Sequence, residues 1–187
     1  MTAPGPGDID ALFDRPAEPR PTHPAALNDA VLQEQCEQTR SRAGGPGGQR
    51  RNKVETAVEL RHAPTGYTAK AAERRSVSEN NRVALRRLRL VLATEHRVDV
   101  PPGECRSERW KARTRSGRIV VSEKHKEFPA MLAEALDVLE ACDYDLRQAA
   151  IRLDVSATQL IRLLSRHPPA LAKLNEAREA RGERPLK

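Results

Sequence analysis

The chain has 187 residues, of which 32% are charged, and a formal net charge of +7 at pH 7. This length accommodates one domain of fair size or two small ones. Aromatic residues make up only 3% of the chain, which argues against a protein that stacks single-stranded bases on aromatic platforms. The sequence contains no run of about eighteen apolar residues and therefore predicts no transmembrane helix.

Residues 1–24 are rich in proline and glycine, a composition that predicts a disordered N-terminus. They show neither a secretory nor an organelle-import pattern, which favours a cytoplasmic protein. The cysteines Cys36, Cys105 and Cys142 are isolated and odd in number, as expected in a reducing compartment. The sequence predicts no metal site and no cofactor, and we expect His62 and His167 to lie at the surface.

The segment that follows predicts a small antiparallel sheet. Residues 25–34 should form a short helix, and residues 32–39 a polar strand that leads into a glycine-rich loop. After the loop, residues 57–61 alternate apolar and polar side chains, which is the period of a half-buried strand. A Pro-Thr-Gly turn at residues 64–66 then leads to a return strand over residues 67–71.

From about residue 81 to residue 95 the pattern becomes helical. One face carries leucines: Leu85, Leu88 and Leu92. This apolar stripe should cover the sheet and complete a compact α+β unit. Another face carries arginines: Arg82, Arg86 and Arg89. Because no acidic residue interrupts these cations, they favour contact with RNA over an ordinary solvated face.

The loop between the first two strands is the most informative stretch. Four glycines and one proline fill residues 44–48, and cations flank them: Arg40, Arg42, Arg50, Arg51 and Lys53. Glycine has no Cβ, so the backbone can lie directly against another surface, and the cations favour a polyanion as that surface. Gln49 adds an amide that both donates and accepts hydrogen bonds. The pattern predicts a loop that enters an RNA site.

Other glycine-rich motifs fit this loop less well. No Gly-Lys-Ser/Thr closes it as in a phosphate-binding P-loop, and it lacks the spaced glycines and the acidic residue of a dinucleotide site. A flexible Gly/Pro linker is the remaining alternative. The strand-like sequence that follows directly disfavours it.

The sequence Gly-Pro-Gly-Gly-Gln-Arg-Arg-Asn-Lys at residues 45–53 resembles the catalytic domain of class I peptide chain release factors and of their ribosome-rescue relatives. The Pro-Thr-Gly turn and the Arg-Ser-three-residues-Asn pattern at residues 75–80 match further motifs of that family in the same order. The resemblance covers about residues 30–96. The chain departs from the family at Gly44, where a small hydroxyl residue is common, and at Arg51, where an apolar residue is usual.

The resemblance implies a ribosome-dependent hydrolase of the peptidyl-tRNA ester whose catalytic residues are Gly47, Gly48 and Gln49. The implied partners are large-subunit rRNA at the peptidyl transferase centre and the P-site peptidyl-tRNA. Cations of the loop and the helix would bind RNA: Arg42, Arg50, Arg51, Lys53, Arg75, Arg82, Arg86 and Arg89. Residues 40–97 hold about 14 Lys and Arg against 5 Asp and Glu, a local excess that independently favours nucleic acid.

The C-terminal half predicts a basic linker and a helical module. Residues 97–118 combine prolines with many cations. The lone Trp110 could stack on a base or cap a small core, and the second role is favoured for a tryptophan. Residues 119–187 predict helices, and residues 145–165 are similar to helix-turn-helix units of the Fis type, with Ser156 as the N-cap of the second helix. Asp154 stands where those units tend to have glycine, and a plain helical bundle explains the pattern about as well.

These features predict a monomeric, membrane-free peptidyl-tRNA hydrolase that rescues stalled ribosomes without reading a codon. About forty residues precede the glycine-rich loop of the predicted catalytic domain (residues 25–96), too few for a decoding domain. Two alternatives remain at this point. The chain could be a nucleic-acid-binding regulator that uses its helix-turn-helix-like segment, or a ribosome-associated protein without catalysis.

Overall fold

A computed structural model describes residues 20–42 and 55–186 of the chain. The architecture is α+β, as the sequence predicts, with a three-stranded antiparallel sheet and seven α-helices in these residues. Within the described ranges, every helix is too short or too polar to span a lipid bilayer.

The helices are α1 (Asp29–Glu34), α2 (Val77–Glu95), α3 (Glu108–Arg113), α4 (Phe128–Ala141), α5 (Leu146–Arg152), α6 (Ala157–Ser165) and α7 (Pro168–Glu179). The strands are β1 (Cys36–Ser41), β2 (Ala57–His62), β3 (Thr68–Ala71), β4 (Thr114–Arg115) and β5 (Arg118–Ile119). A 3₁₀ turn, Pro24–Ala26, precedes α1.

Strand β2 lies at the centre of the sheet, between β1 and β3. Its side chains alternate as predicted: Val58 and Leu60 are fully buried, whereas Glu59 and Arg61 are exposed. Helix α2 packs across β2 and β3, and its leucine stripe is buried. The period-2 strand and the helical leucine repeat therefore meet in one core, which is the arrangement that the sequence predicts.

Two predicted boundaries are wrong. Leu32 does not begin a strand: it is buried in α1, whose N-cap Asn28 accepts a hydrogen bond from Val31 N at 2.8 Å, and the strand starts only at Cys36. Helix α2 begins at Val77 rather than near residue 81. At α1 the side chain of the N-cap Asn28 satisfies a backbone group that periodicity alone does not track, whereas the N-cap of α2, Ser76, forms no side-chain cap hydrogen bond.

Arg20 and His23, which lie in the predicted disordered N-terminus, instead pack on the core. Arg20 donates a hydrogen bond of 2.6 Å to Asp137 of α4, and His23 is 4% exposed. A charged and a polar side chain make these contacts, so a composition rule based on apolar content does not detect them.

Residues 97–118, predicted as a linker, contain α3 and most of a β-hairpin formed by β4 and β5. Trp110 of α3 is fully buried, as predicted, and donates a hydrogen bond of 2.9 Å from Nε1 to the carbonyl of Leu153. The core residues on either side of this segment form one continuous cluster. The boundaries of the predicted domains stay a prediction.

Helix α4 is buried along nearly its whole length and contacts α2, α5 and α6. In the predicted helix-turn-helix-like segment, Asp145 caps α5, and Ser156 caps α6 as predicted by accepting a hydrogen bond from Gln159 N at 3.3 Å. Asp154 in the intervening turn has φ +53°, the left-handed conformation that explains why related units favour glycine there.

Candidate active site

Strands β1 and β2 hold the two ends of the glycine-rich loop together. Ser41 pairs with Ala57 in the antiparallel register, so the loop leaves and re-enters the sheet at neighbouring positions. The ion pair Arg42 Nε–Glu55 Oε1, at 3.8 Å, lies just beyond this pair, and both side chains are exposed. The predicted catalytic residues Gly47, Gly48 and Gln49 lie outside the described residues, as do Arg50, Arg51 and Lys53.

Asn80 fixes the exit of the loop to the start of α2. This side chain is fully buried, and its Nδ2 donates hydrogen bonds to Thr56 O at 2.6 Å and to Arg74 O at 3.0 Å. Its Oδ1 accepts a hydrogen bond of 2.9 Å from Arg74 N. An amide is the neutral side chain that both donates and accepts in this way. The sequence pattern includes Asn80 but does not reveal that it joins the loop to the helix.

The predicted RNA-binding arginines of α2 divide into exposed and buried positions. Arg75, just before the N-cap Ser76, and Arg82 in the second turn are exposed. Arg86 is exposed and donates a hydrogen bond of 3.1 Å to Glu123 O. Three of the predicted cations, Arg75, Arg82 and Arg86, therefore present charge to solvent.

Arg89 differs from the other three. Its side chain is buried, and it donates hydrogen bonds to Ala25 O at 3.0 Å and to Asp29 Oδ1 at 2.6 Å. It ties the 3₁₀ turn and α1 to α2. The sequence carries a signal for this role, because Arg89 follows Leu85 by four residues and precedes Leu92 by three, and so lies on the apolar face of α2.

His62 is buried, with 1% of its surface exposed, so its predicted surface position is wrong. Its Nδ1 lies 2.7 Å from Thr65 Oγ1 and its Nε2 lies 3.0 Å from Gln35 Oε1. Burial lowers the pKa of His62. The ring joins the Pro-Thr-Gly turn to the residue before β1, which is the opposite end of the sheet from the glycine-rich loop, and this position assigns it a structural role.

No cluster of three or more His, Cys, Asp or Glu side chains within residues 20–42 and 55–186 is arranged to hold a metal ion. Burial raises the pKa of the Cys36 and Cys105 thiols, which disfavours the reactive thiolate. What the described residues provide is a rigid support for the loop and a cationic surface beside it.

The three-stranded sheet, the helix packed across it and the Gly-Gly-Gln loop between its first two strands define the catalytic-domain class of peptide chain release factors. Residues 28–131, more than half of the chain, match the RF-1 domain family, and the chain belongs to this family. The match extends beyond the predicted catalytic domain, through α3 and the β4–β5 hairpin and into α4.

Curated relatives agree with this assignment. The chain is 43% identical over 76 residues to the chloroplastic peptide chain release factor PrfB1 of Arabidopsis thaliana, covering 39% of this chain and 17% of that protein. It is 36% identical over 80 residues to peptide chain release factor 1 of a Nocardioides species, covering 42% of this chain and 22% of that protein. It is 39% identical over 67 residues to the mitochondrial translation release factor in rescue of Mus musculus, covering 35% and 34%. The chain thus spans between 17% and 34% of the length of these three relatives.

Proposed function

We propose that this chain hydrolyses the ester bond of peptidyl-tRNA in the ribosome and rescues stalled ribosomes without reading a codon. The observation that supports this most directly is Gly47-Gly48-Gln49 within a domain of the release-factor family. Strand pairing at Ser41 and Ala57 and the hydrogen bonds of Asn80 give the loop a fixed base. A fixed base suits a loop whose task is to position groups at the reacting bond.

Ester hydrolysis requires water near the carbonyl carbon and stabilisation of negative charge on oxygen. Gly47 and Gly48 let the backbone approach the tRNA terminus where a Cβ would collide. The backbone N–H of Gln49 donates a hydrogen bond to the developing or leaving oxygen, and the side chain of Gln49 orients water. Residues 43–54 contain no His, Asp or Glu, which is consistent with catalysis by positioning rather than by a titrating side chain.

The surrounding cations anchor the domain to large-subunit rRNA around the P-site peptidyl-tRNA. On the described surface these are Arg42, Arg75, Arg82 and Arg86, all exposed. Arg50, Arg51 and Lys53 of the loop are assigned the same task. The buried contacts of Arg89 support packing as its main role.

The rescue activity is supported by the similarity to the Mus musculus protein, whose name describes a release factor in rescue. On this proposal residues 97–187 dock on the ribosome, and the protein acts as a cytoplasmic monomer. A rescue factor of this kind releases peptide from ribosomes that have no stop codon in the decoding site.

Peptide release from three ribosomal complexes tests the proposal: a truncated message, a sense codon with message downstream, and a stop codon. We expect release on the truncated message, and a fall on the order of 100-fold for Gly48→Ala because misplacement of the loop by a Cβ disturbs the catalytic geometry. Gln49→Ala should lose less release activity than Gly48→Ala, because the backbone N–H of residue 49 remains. Gly44→Ser, which introduces the small hydroxyl residue common in the family, is the matched loop control and should retain activity.

Release confined to the stop codon would overturn the codon-independent assignment. Absence of release from all three complexes, with ribosome binding intact, would overturn the hydrolase assignment itself.

A further inference from the structure

The β4–β5 hairpin presents two arginines directly opposite each other. Ser116 and Gly117 form its two-residue turn, with φ +48° and +71°, the paired positive values of a type I′ turn. This turn fixes a register in which Arg115 pairs with Arg118, and both side chains are exposed. The hairpin therefore places both arginine side chains on one face, exposed to solvent.

Like charges at directly opposed positions of a sheet are destabilising. Nearby acidic residues pair with other cations: Glu127 with Arg113 at 2.6 Å and Glu108 with Lys111 at 3.1 Å. In the ranges 20–42 and 55–186, neither Arg115 nor Arg118 forms an ion pair. The repulsion is thus not offset within the described protein, and a bound polyanion would offset it.

Helix α6 lies against the second strand of this hairpin. Gln159 Oε1 accepts a hydrogen bond of 3.2 Å from Ile119 N, and Arg166 Nη1 donates a hydrogen bond to Val121 O. Residues 159 and 166 are two helical turns apart and share one face. Arg162 lies between them on this face and is exposed, so it adds a third cation beside the strand.

The hairpin turn also borders the α5–α6 turn. Ser116, Gly117 and Asp154 line one cleft with a volume of about 400 Å³. The cations that line this cleft are paired, since Arg106 contacts both Asp154 and Glu104 at 2.8 Å, and Lys111 contacts Glu108 at 3.1 Å. The excess positive charge is therefore on the outer surface, along the hairpin and α6, and not in the cleft.

We propose that the hairpin–helix surface, formed by Arg115, Arg118, Arg162 and Arg166, docks on the phosphate backbone of an RNA duplex. A duplex presents about one negative charge per 1.7 Å of its axis, a density that suits paired cations on a rigid support. Trp110 is fully buried, and no other aromatic residue of the ranges 20–42 and 55–186 lies among these side chains, so stacking on unpaired bases is disfavoured. The choice of RNA over DNA rests on the proposed function, whereas the phosphate contact rests on the geometry alone.

Binding of the full-length protein to a fluorescein-labelled RNA duplex, measured by anisotropy over a range of salt concentrations, tests this surface. The double variant Arg115→Gln/Arg118→Gln should bind more weakly. The plot of log K against log salt concentration should also be less steep by about 2, since each lost phosphate contact makes it less steep by about 1. Its thermal unfolding temperature should equal or slightly exceed that of the wild type, because the like-charge pair has been removed.

Arg147→Gln/Arg184→Gln is the matched control, because it removes the same charge from exposed positions outside this surface. This control variant should show the same dependence of log K on log salt concentration as the wild type. An equal loss in both double variants would overturn the proposal and indicate binding by net charge alone. Equal affinity for a DNA duplex of the same sequence, or stronger binding to single-stranded RNA, would overturn the assignment to RNA duplexes.

Release assays on the same variants separate this proposal from the hydrolase proposal. A wild-type protein that binds the duplex through the hairpin but releases no peptide would contradict only the hydrolase activity. A protein that releases peptide but shows no hairpin-dependent duplex binding would contradict only the hairpin–helix surface.

Discussion

Asn80 shows how one side chain can connect the glycine-rich loop to its scaffold. It is fully buried and makes three hydrogen bonds, to the carbonyl of Thr56, the carbonyl of Arg74 and the amide of Arg74. Thr56 is the residue just before β2, at the exit of the loop. Asn80 therefore controls where the end of the loop lies relative to α2.

We predict that Asn80→Ala lowers the free energy of unfolding by about 2 kcal/mol, because it leaves buried or half-buried backbone groups without partners. Peptide release should also fall at temperatures where the variant is still folded, because the base of the loop loses its position. The loss of release is therefore expected to be larger than the unfolded fraction explains. Urea denaturation and release kinetics measure the two effects. Ser78→Ala, an exposed position in the same helical turn, is the control.

Asn80→Asp refines this test, since it keeps the acceptor for Arg74 N but replaces both donated bonds with repulsion between oxygens. A folded Asn80→Asp variant with full release activity would show that Asn80 stabilises the fold without positioning the loop.

Arg89 and Arg86 illustrate how far periodicity predicts a role. Both belong to a row of arginines at helical spacing, but only Arg86 is exposed, whereas the side chain of Arg89 is buried and pairs with Asp29, whose own side chain is exposed. The leucine stripe could have revealed this, since it places Arg89 on the apolar face. What the sequence does not contain is the partner, because Asp29 is sixty residues away and meets Arg89 only in the folded chain.

At the scale of elements, the 3₁₀ turn is held on the core by a neutral histidine. His23 Nδ1 accepts a hydrogen bond of 3.0 Å from Ala25 N, and its Nε2 lies 3.1 Å from His96 O, which requires a proton on Nε2. Burial, with smaller contributions from the charges of His96, Arg97 and Arg20, lowers the pKa of His23 to about 4. Protonation at Nδ1 would also break the bond to Ala25.

This arrangement predicts a loss of stability in mild acid. The unfolded state binds the proton near pH 6.5 and the folded state only near pH 4, so stability decreases as pH falls through this window. Between pH 7 and pH 5 the wild type should lose on the order of 1 kcal/mol more than His23→Gln, whose amide can replace both hydrogen bonds. Urea denaturation at the two pH values measures this difference.

Asp137 also titrates in this pH range, so the pH dependence of the wild-type stability alone would not isolate the contribution of His23. Burial outweighs the nearby Arg20 and Arg97 and raises the pKa of Asp137 to about 6, so its titration stabilises the folded state as pH falls. Since Asp137 is present in both proteins, its contribution cancels in the difference. Identical pH profiles for the wild type and His23→Gln would contradict the role assigned to His23.

At the scale of the whole molecule, α4 connects the N-terminal and C-terminal parts of the described chain. Asp137 accepts hydrogen bonds from Arg20 at 2.6 Å and from Val98 N at 3.3 Å. Glu134 accepts a hydrogen bond of 2.7 Å from Ser107 N, the N-cap of α3. Two acidic side chains of one helix thus fix three separate segments, and breaking such buried contacts is costly.

We therefore predict cooperative unfolding of the whole chain. Trp110 is the single tryptophan and is buried against Leu153, so its fluorescence reports on the junction between the predicted modules. Its urea transition should coincide with that of far-ultraviolet circular dichroism. A chain that ends at residue 118 should lack a cooperative transition and show solvent-exposed Trp110 emission.

Two separated transitions in the full-length protein, or a cooperatively folded chain of residues 1–118, would instead support independent domains with the boundaries predicted from sequence.

The sequence by itself determined the α+β class, the order of the sheet and helix elements, and the family, because strand alternation, the leucine stripe and the ordered motifs are local patterns. It also determined Ser156 as a cap and Trp110 as a core residue. Only the tertiary structure decided the roles of Asn80, Arg89 and His62, the packing of Arg20 and His23 and the juxtaposition of the hairpin with α6. Each of these depends on a hydrogen bond or ion pair between residues distant in sequence, and such a partner exists only once the chain has folded.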